Sequence, residues 1–162
     1  MEKIITILPE MLLVGISGYT SNENEMSEKA IIGKMLQKYF GENLSSQIKN
    51  RKNPGKTFCV YTNYESDHTG NYKYFVGEEV VDFAQAPENF ENMIIQNQIY
   101  TKFTTDPGPM PQTCISMWQN IWSMNSSDFG GERAYIADFE IYDERSLDPQ
   151  NTILDIYIGI KK

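Results

Sequence analysis

A chain of 162 residues with 40% apolar and 12% aromatic side chains is expected to fold as one domain with a sizeable core. Its formal net charge of −8 opposes phosphate-backbone binding and excludes nucleic acid as an expected partner. Cys59, Cys114 and His68 are the only thiols and imidazole, at spacings that suit neither a zinc site nor a His-based triad, so no metal and no cofactor are expected.

The apolar runs Ile4–Leu8 and Met11–Ile16 are separated by Pro9-Glu10 and lead to no convincing cleavage site. No segment nears the roughly 20 apolar residues of a membrane span, and both cysteines stand in apolar contexts that suit a reducing compartment. The expected location is the cytoplasm.

Residues from about Glu10 to Tyr19 read as a strand, with Gly15 and Gly18 as candidate bulges. Ser27 is placed to cap a helix carrying Ile31, Ile32, Met35, Leu36, Tyr39 and Phe40 at helical spacing, and Gly41 ends it. Asn50–Lys56 is a basic turn before a strand at Thr57–Tyr64. Asp67–Asn71 then turns the chain into a strand at Tyr72–Val81. About Asp82 to Gln98 reads as a polar connection. A strand at Ile99–Thr105 follows, then a breaker at Asp106–Pro109 and a helix that Pro111 could open. Ser126–Arg133 is expected as a loop, before two strands at about Ala134–Tyr142 and Thr152–Ile160.

Strand, helix, hairpin therefore occurs twice. Leu36-Gln-Lys-Tyr-Phe40 is echoed by Trp118-Gln-Asn-Ile-Trp122, and Tyr74-Phe-Val-Gly77 by Ile156-Tyr-Ile-Gly159, in the same order and at a common spacing. The predicted class is α+β: a duplicated strand–helix–two-strand module, about 9–81 and about 97–160, with pseudo-twofold antiparallel sheets around a central ligand pocket.

Alternation along the final hairpin puts Ala137, Phe139 and Ile141 on one face and Asp138, Glu140 and Tyr142 on the other. In the last strand it separates Leu154, Ile156, Ile158 and Ile160 from Asp155, Tyr157 and Gly159. The expectation is one apolar face and one face of carboxylates and tyrosines. That second face is either solvated, as is common for an antiparallel sheet, or the lining of a cavity. A carboxylate among aromatic rings suits a flat organic cation, because charge pairing and cation–π attraction act together. Trp118 and Trp122 share a helix face and read either as core or as pocket wall. The Gly130-Gly131 turn, the basic Lys49–Lys56 loop and the Glu65, Asp67, His68 group carry no further site.

Several pieces of the chain together resemble the GyrI-like family, the effector-binding domain of bacterial transcription activators. They are Asn50-Arg-Lys-Asn-Pro-Gly55, Tyr61-Thr-Asn-Tyr-Glu-Ser-Asp67, Tyr74-Phe-Val-Gly77, Tyr100-Thr-Lys-Phe103, Trp118-Gln-Asn-Ile-Trp122, Asp138-Phe-Glu-Ile-Tyr142 and Asp155-Ile-Tyr-Ile158. The resemblance covers nearly the whole chain and suggests a stand-alone, integron-cassette-like member. It implies a pocket glutamate that contacts lipophilic cations between aromatic walls, and Glu140 matches that glutamate. Some members are hydrolases of cyclopropane-bearing electrophilic toxins. Departures at Gly159 and Gln96-Asn-Gln98, where many relatives carry Pro or a Pro- or Gly-containing turn, leave the ligand's shape open.

The first expectation is a small-molecule-binding protein for amphipathic or cationic aromatic compounds, lined by Glu140, Trp118, Tyr157, Tyr142, Tyr64 and Phe75. The last two enter as repeat equivalents of Tyr142 and Tyr157. The alternative is a hydrolase with Glu140 and Tyr157 as catalytic groups. A third reading is an acidic protein-interaction module, and a homodimer is compatible with all three.

Overall fold

The computed structural model describes residues 2–161. Along the chain lie β1 (Glu2–Leu8), β2 (Met11–Ser21), α1 (Asn22–Glu25), α2 (Ile32–Gly41), β3 (Thr57–Thr62), β4 (Asn71–Glu79), β5 (Glu91–Ile95), β6 (Gln98–Thr104), α3 (Gln112–Trp122), α4 (Ser126–Phe129), β7 (Ala137–Tyr142) and β8 (Asp155–Ile160). The strands form one antiparallel sheet in the order β1-β6-β8-β7-β3-β4-β2-β5. Read outward from the central β7–β3 pair, each half gives the second, third and first strand of its strand–helix–hairpin unit.

Two strands fall where none was expected. The run at Ile4–Leu8 belongs to edge strand β1, and the polar connection at about 82–98 contains edge strand β5. Each edge strand pairs with the first strand of the other unit: β1 with β6 and β5 with β2. Only Pro9 and Glu10 separate β1 from β2, so Leu8 and Met11 lie at most about 11 Å apart. In a flat sheet, six strand spacings would hold them about 29 Å apart. The sheet must therefore curl until its edges meet. The inner face then closes a core of Met11, Leu13, Phe58, Val60, Phe75, Ile95, Tyr100, Phe139, Ile141 and Tyr157.

The outer face carries two further cores, one under each long helix. Tyr39 of α2 packs with Val14, Tyr74 and Val76, with Met35 and Leu36 against the cluster. Met117, Trp118 and Ile121 of α3 pack with Phe103, Ile156 and Ile158. Each such side chain contributes on the order of 1.5–3 kcal/mol when fully buried.

Local expectations shift in four places. Gly15 and Gly18 form no bulge, since β2 and β4 pair continuously from Leu13↔Glu79 to Ser21↔Asn71. Gly15 instead faces Gly77, and a methyl on either would run into backbone of the paired strand. Ser27 does not cap α2; that helix starts after Ile31, and the Glu25 carboxylate accepts from the backbone N–H groups of Ile31 and Ile32 at 2.9 and 3.1 Å. The expected loop at 126–133 contains α4, closed by an Asn125–Asp128 capping box and by Gly130 at φ 78°. The strand expected from Ala134 begins at Ala137, because Tyr135 adopts φ 53° and breaks the extended backbone.

Candidate functional site

The helices cover the outer strands of each half and leave the central β3–β7 pair open between them. A cavity of about 430 Å³ lies there, within the range of small-molecule sites. Tyr61, Glu140 and Tyr142 come from the central strands and Tyr72 from β4. Ile32, Gly33 and Leu36 of α2 face Cys114, Ile115, Trp118 and Trp122 of α3. His68, Tyr64 and Arg133 enter from loops.

Glu140 is at the centre of the chemistry, with 1% of its surface exposed. Its Oε1 accepts from the Tyr61 hydroxyl at 2.6 Å, and its Oε2 from the Cys114 thiol at 2.7 Å and the Tyr142 hydroxyl at 3.2 Å. Burial pushes its pKa above the ordinary carboxylate range, while these donors and the nearby Trp118 indole N–H hold it down. The indole does not reach hydrogen-bond geometry, and its Nε1 is buried without a partner. All three bonded donors are neutral.

A different arrangement surrounds Asp138, two residues earlier on the same face and fully buried. It accepts from Arg133 Nη2 and the Tyr64 hydroxyl, each at 2.6 Å, and from the Gly159 backbone N–H at 2.7 Å. The other buried carboxylates, Glu78 and Asp155, are paired with Arg51 and Arg145. Glu140 differs in having no basic partner within ion-pair distance among the described residues.

The walls are aromatic. Tyr61 packs on Trp118 with ring centroids 4.7 Å apart, and on Tyr72 and Tyr74 at 5.5 and 5.2 Å. His68 stacks on Trp122 at 6.2 Å, bringing the β3–β4 loop to α3.

Of the residues expected from sequence, Glu140, Trp118, Tyr142 and Tyr64 come together in this cavity. Tyr157 and Phe75 do not. Phe139 pairs with Tyr157 and Glu140 with Ile156, so the carboxylate face of β7 continues onto the apolar face of β8. Tyr157 stacks on Phe139 at 4.7 Å in the inner core, which Phe75 shares. Strand β8 is buried on both faces, so its alternation does not tell which face meets the helix. Tyr61, Tyr72, Cys114 and Arg133 were missed. The alternation Cys59/Tyr61 in β3, opposite Glu140/Asp138 in β7, was the available signal for Tyr61.

The sequence profile of integron-associated effector binding proteins, Cass2, matches residues 4–160. The chain belongs to the Cass2 family. YobU of Bacillus subtilis (strain 168), which carries the name of a transcriptional regulator, is 29% identical over 160 residues, covering 98% of this chain and 97% of its own. The Vibrio cholerae integron cassette protein VCH_CASS2 is 26% identical with a TM-score of 0.75, over 98% of this chain and 95% of that one. SAV2435, solved with bound tetraphenylphosphonium, is similar in fold at a TM-score of 0.79 and 16% identity, over 99% of this chain and 94% of that one. The architecture of this Cass2-family chain is the GyrI-like effector-binding fold. Among the described residues, no helix is long and apolar enough to cross a membrane.

Proposed function

We propose that this Cass2-family protein is a receptor for amphipathic or cationic aromatic molecules, with Glu140 as the anchor and Trp118, Tyr61, Tyr64 and Tyr142 as walls. One observation carries the reading. Glu140 is a buried carboxylate hydrogen-bonded only by neutral hydroxyl and thiol groups, at the floor of an aromatic cavity. A buried charge without a counter-charge is costly, and a lipophilic cation would offset that cost while its own desolvation is small. Face contacts with the rings would add about 0.5–2 kcal/mol each. The bound tetraphenylphosphonium in SAV2435 supports the choice of ligand class.

The test is titration of tetraphenylphosphonium and of neutral triphenylphosphine oxide, read by tryptophan fluorescence, since both tryptophans of the chain line the cavity. Saturable cation binding that weakens at least about tenfold, or roughly 1.4 kcal/mol, in Glu140→Gln supports the reading. Equal affinity of both proteins for the cation refutes it. The hydrolase reading keeps Glu140 but loses Tyr157 as a donor, and multiple turnover of a strained electrophile would be needed to sustain it.

A further inference from the structure

We propose that Cys114 is a nucleophile that captures neutral, soft electrophiles entering the cavity, with Glu140 taking its proton. The thiol lines the cavity and lies 2.7 Å from Glu140 Oε2, with the Tyr142 hydroxyl 3.8 Å from the sulfur. A carboxylate in line with a thiol proton is the geometry of general-base activation. Independently, the Trp118 side chain is 7% exposed, lines the same cavity and leaves its indole N–H unpartnered. The indole N–H lies near Glu140 without reaching hydrogen-bond geometry, and a buried donor left short of a partner marks the cavity as able to take a polar ligand group beside the carboxylate.

For an α,β-unsaturated carbonyl compound the step balances without a co-reactant. The sulfur forms a bond to the β-carbon while its proton passes to Glu140 Oε2. The C=C electron pair moves through the α-carbon to the carbonyl oxygen, and the proton then returns from Glu140 to the α-carbon. The product is a thioether whose mass is the sum of protein and electrophile.

Burial and the adjacent Glu140 raise the Cys114 pKa well above the ordinary thiol range, so free thiolate is scarce and attack requires a base. The same burial raises Glu140, which makes it a stronger base than an exposed carboxylate. Cys59 is a built-in control: it is fully buried among apolar side chains and lines no described cavity.

The inference uses the cavity but not a cationic ligand, so the two readings can fail separately. The probe is N-phenylmaleimide, followed by intact mass and peptide mapping at a series of pH values. The expected result is one adduct on Cys114, absent in Cys114→Ser. Above the pH at which Glu140 has ionised, the rate of adduct formation should change by less than about threefold over about two pH units in the wild type, because proton transfer to Glu140 replaces prior ionisation. A thiol reacting only as free thiolate gains about tenfold per pH unit, and Glu140→Gln should revert to that slope. Absence of the adduct, preferential labelling of Cys59, or a tenfold-per-unit slope in the wild type overturns the proposal. Because the wild-type slope decides by itself, the test survives a poorly folded Glu140→Gln. Retained phosphonium binding in any overturning case would leave the receptor reading intact.

Discussion

Replacing Arg133 by Met isolates the contribution of the ion pair behind the cavity wall. The Arg133 and Asp138 side chains are 6% and 0% exposed and meet at 2.6 Å. Removing the guanidinium leaves Asp138 buried with only the Tyr64 hydroxyl and Gly159 N–H as donors. An orphaned buried charge of this kind costs about 3–5 kcal/mol, a large share of the roughly 5–15 kcal/mol that holds a domain folded. At about 2–4 °C per kcal/mol for a chain of this size, the melting temperature should fall by about 6–20 °C. Asp138→Asn should cost a similar amount, because it strands Arg133 instead. In the double variant neither charge is left alone, so its loss should fall short of the summed single losses by about 1–3 kcal/mol. Urea unfolding followed by far-UV circular dichroism measures all three, with unchanged slopes certifying a common unfolding transition. A loss below about 1 kcal/mol for Arg133→Met, or strict additivity in the double variant, refutes the account of a mutually dependent buried pair.

Glu140 links binding to pH. Its folded pKa is raised by burial, so the folded apo protein holds this proton more tightly than the unfolded chain, and the group's contribution to stability falls as pH rises from the ordinary carboxylate value through the raised one. A cation favours the ionised form, so phosphonium affinity should rise with pH through that window while affinity for the neutral phosphine oxide stays flat. Calorimetry in two buffers of different ionisation enthalpy should register proton release with the cation only. Tyr157→Phe should leave cation affinity within about twofold, since that hydroxyl belongs to the inner side of the sheet. Tyr61→Phe removes a donor to a charged group, a bond of about 1.5–3 kcal/mol, and should move the pH midpoint of cation binding upward; identical effects in fluorescence titrations would contradict the assignment of faces. Gly15→Ala drives a methyl into the Val76 carbonyl across the β2–β4 pair, and should cost more than about 2 kcal/mol in urea unfolding. Wild-type stability would show that the strands can separate there without penalty.

Much of the candidate site was readable because periodicity acts within one element. Alternation placed Glu140, Tyr142 and Asp138 on one side of β7, and helical spacing placed Trp118 and Trp122 on one side of α3. Tyr64 and Tyr142 both line the cavity, whereas Phe75 and Tyr157 both belong to the inner core. The error lay in assigning the second pair to the cavity.

Local pattern thus determined the two strand–helix–hairpin units, the polar side of β7 and the aromatic side of α3. These follow from backbone geometry and from which side chains water rejects along a single segment. Tertiary structure decided what no single segment contains. It set the register that mates Phe139 with Tyr157, the exchange of edge strands that curls the sheet, and the approach of the Cys114 thiol and Tyr61 hydroxyl to Glu140. The physical reason is that β8 is apolar toward α3 and aromatic toward the inner core, so both faces are buried and its pattern favours neither. Only the packing of the helices and the closing of the curled sheet remove that degeneracy.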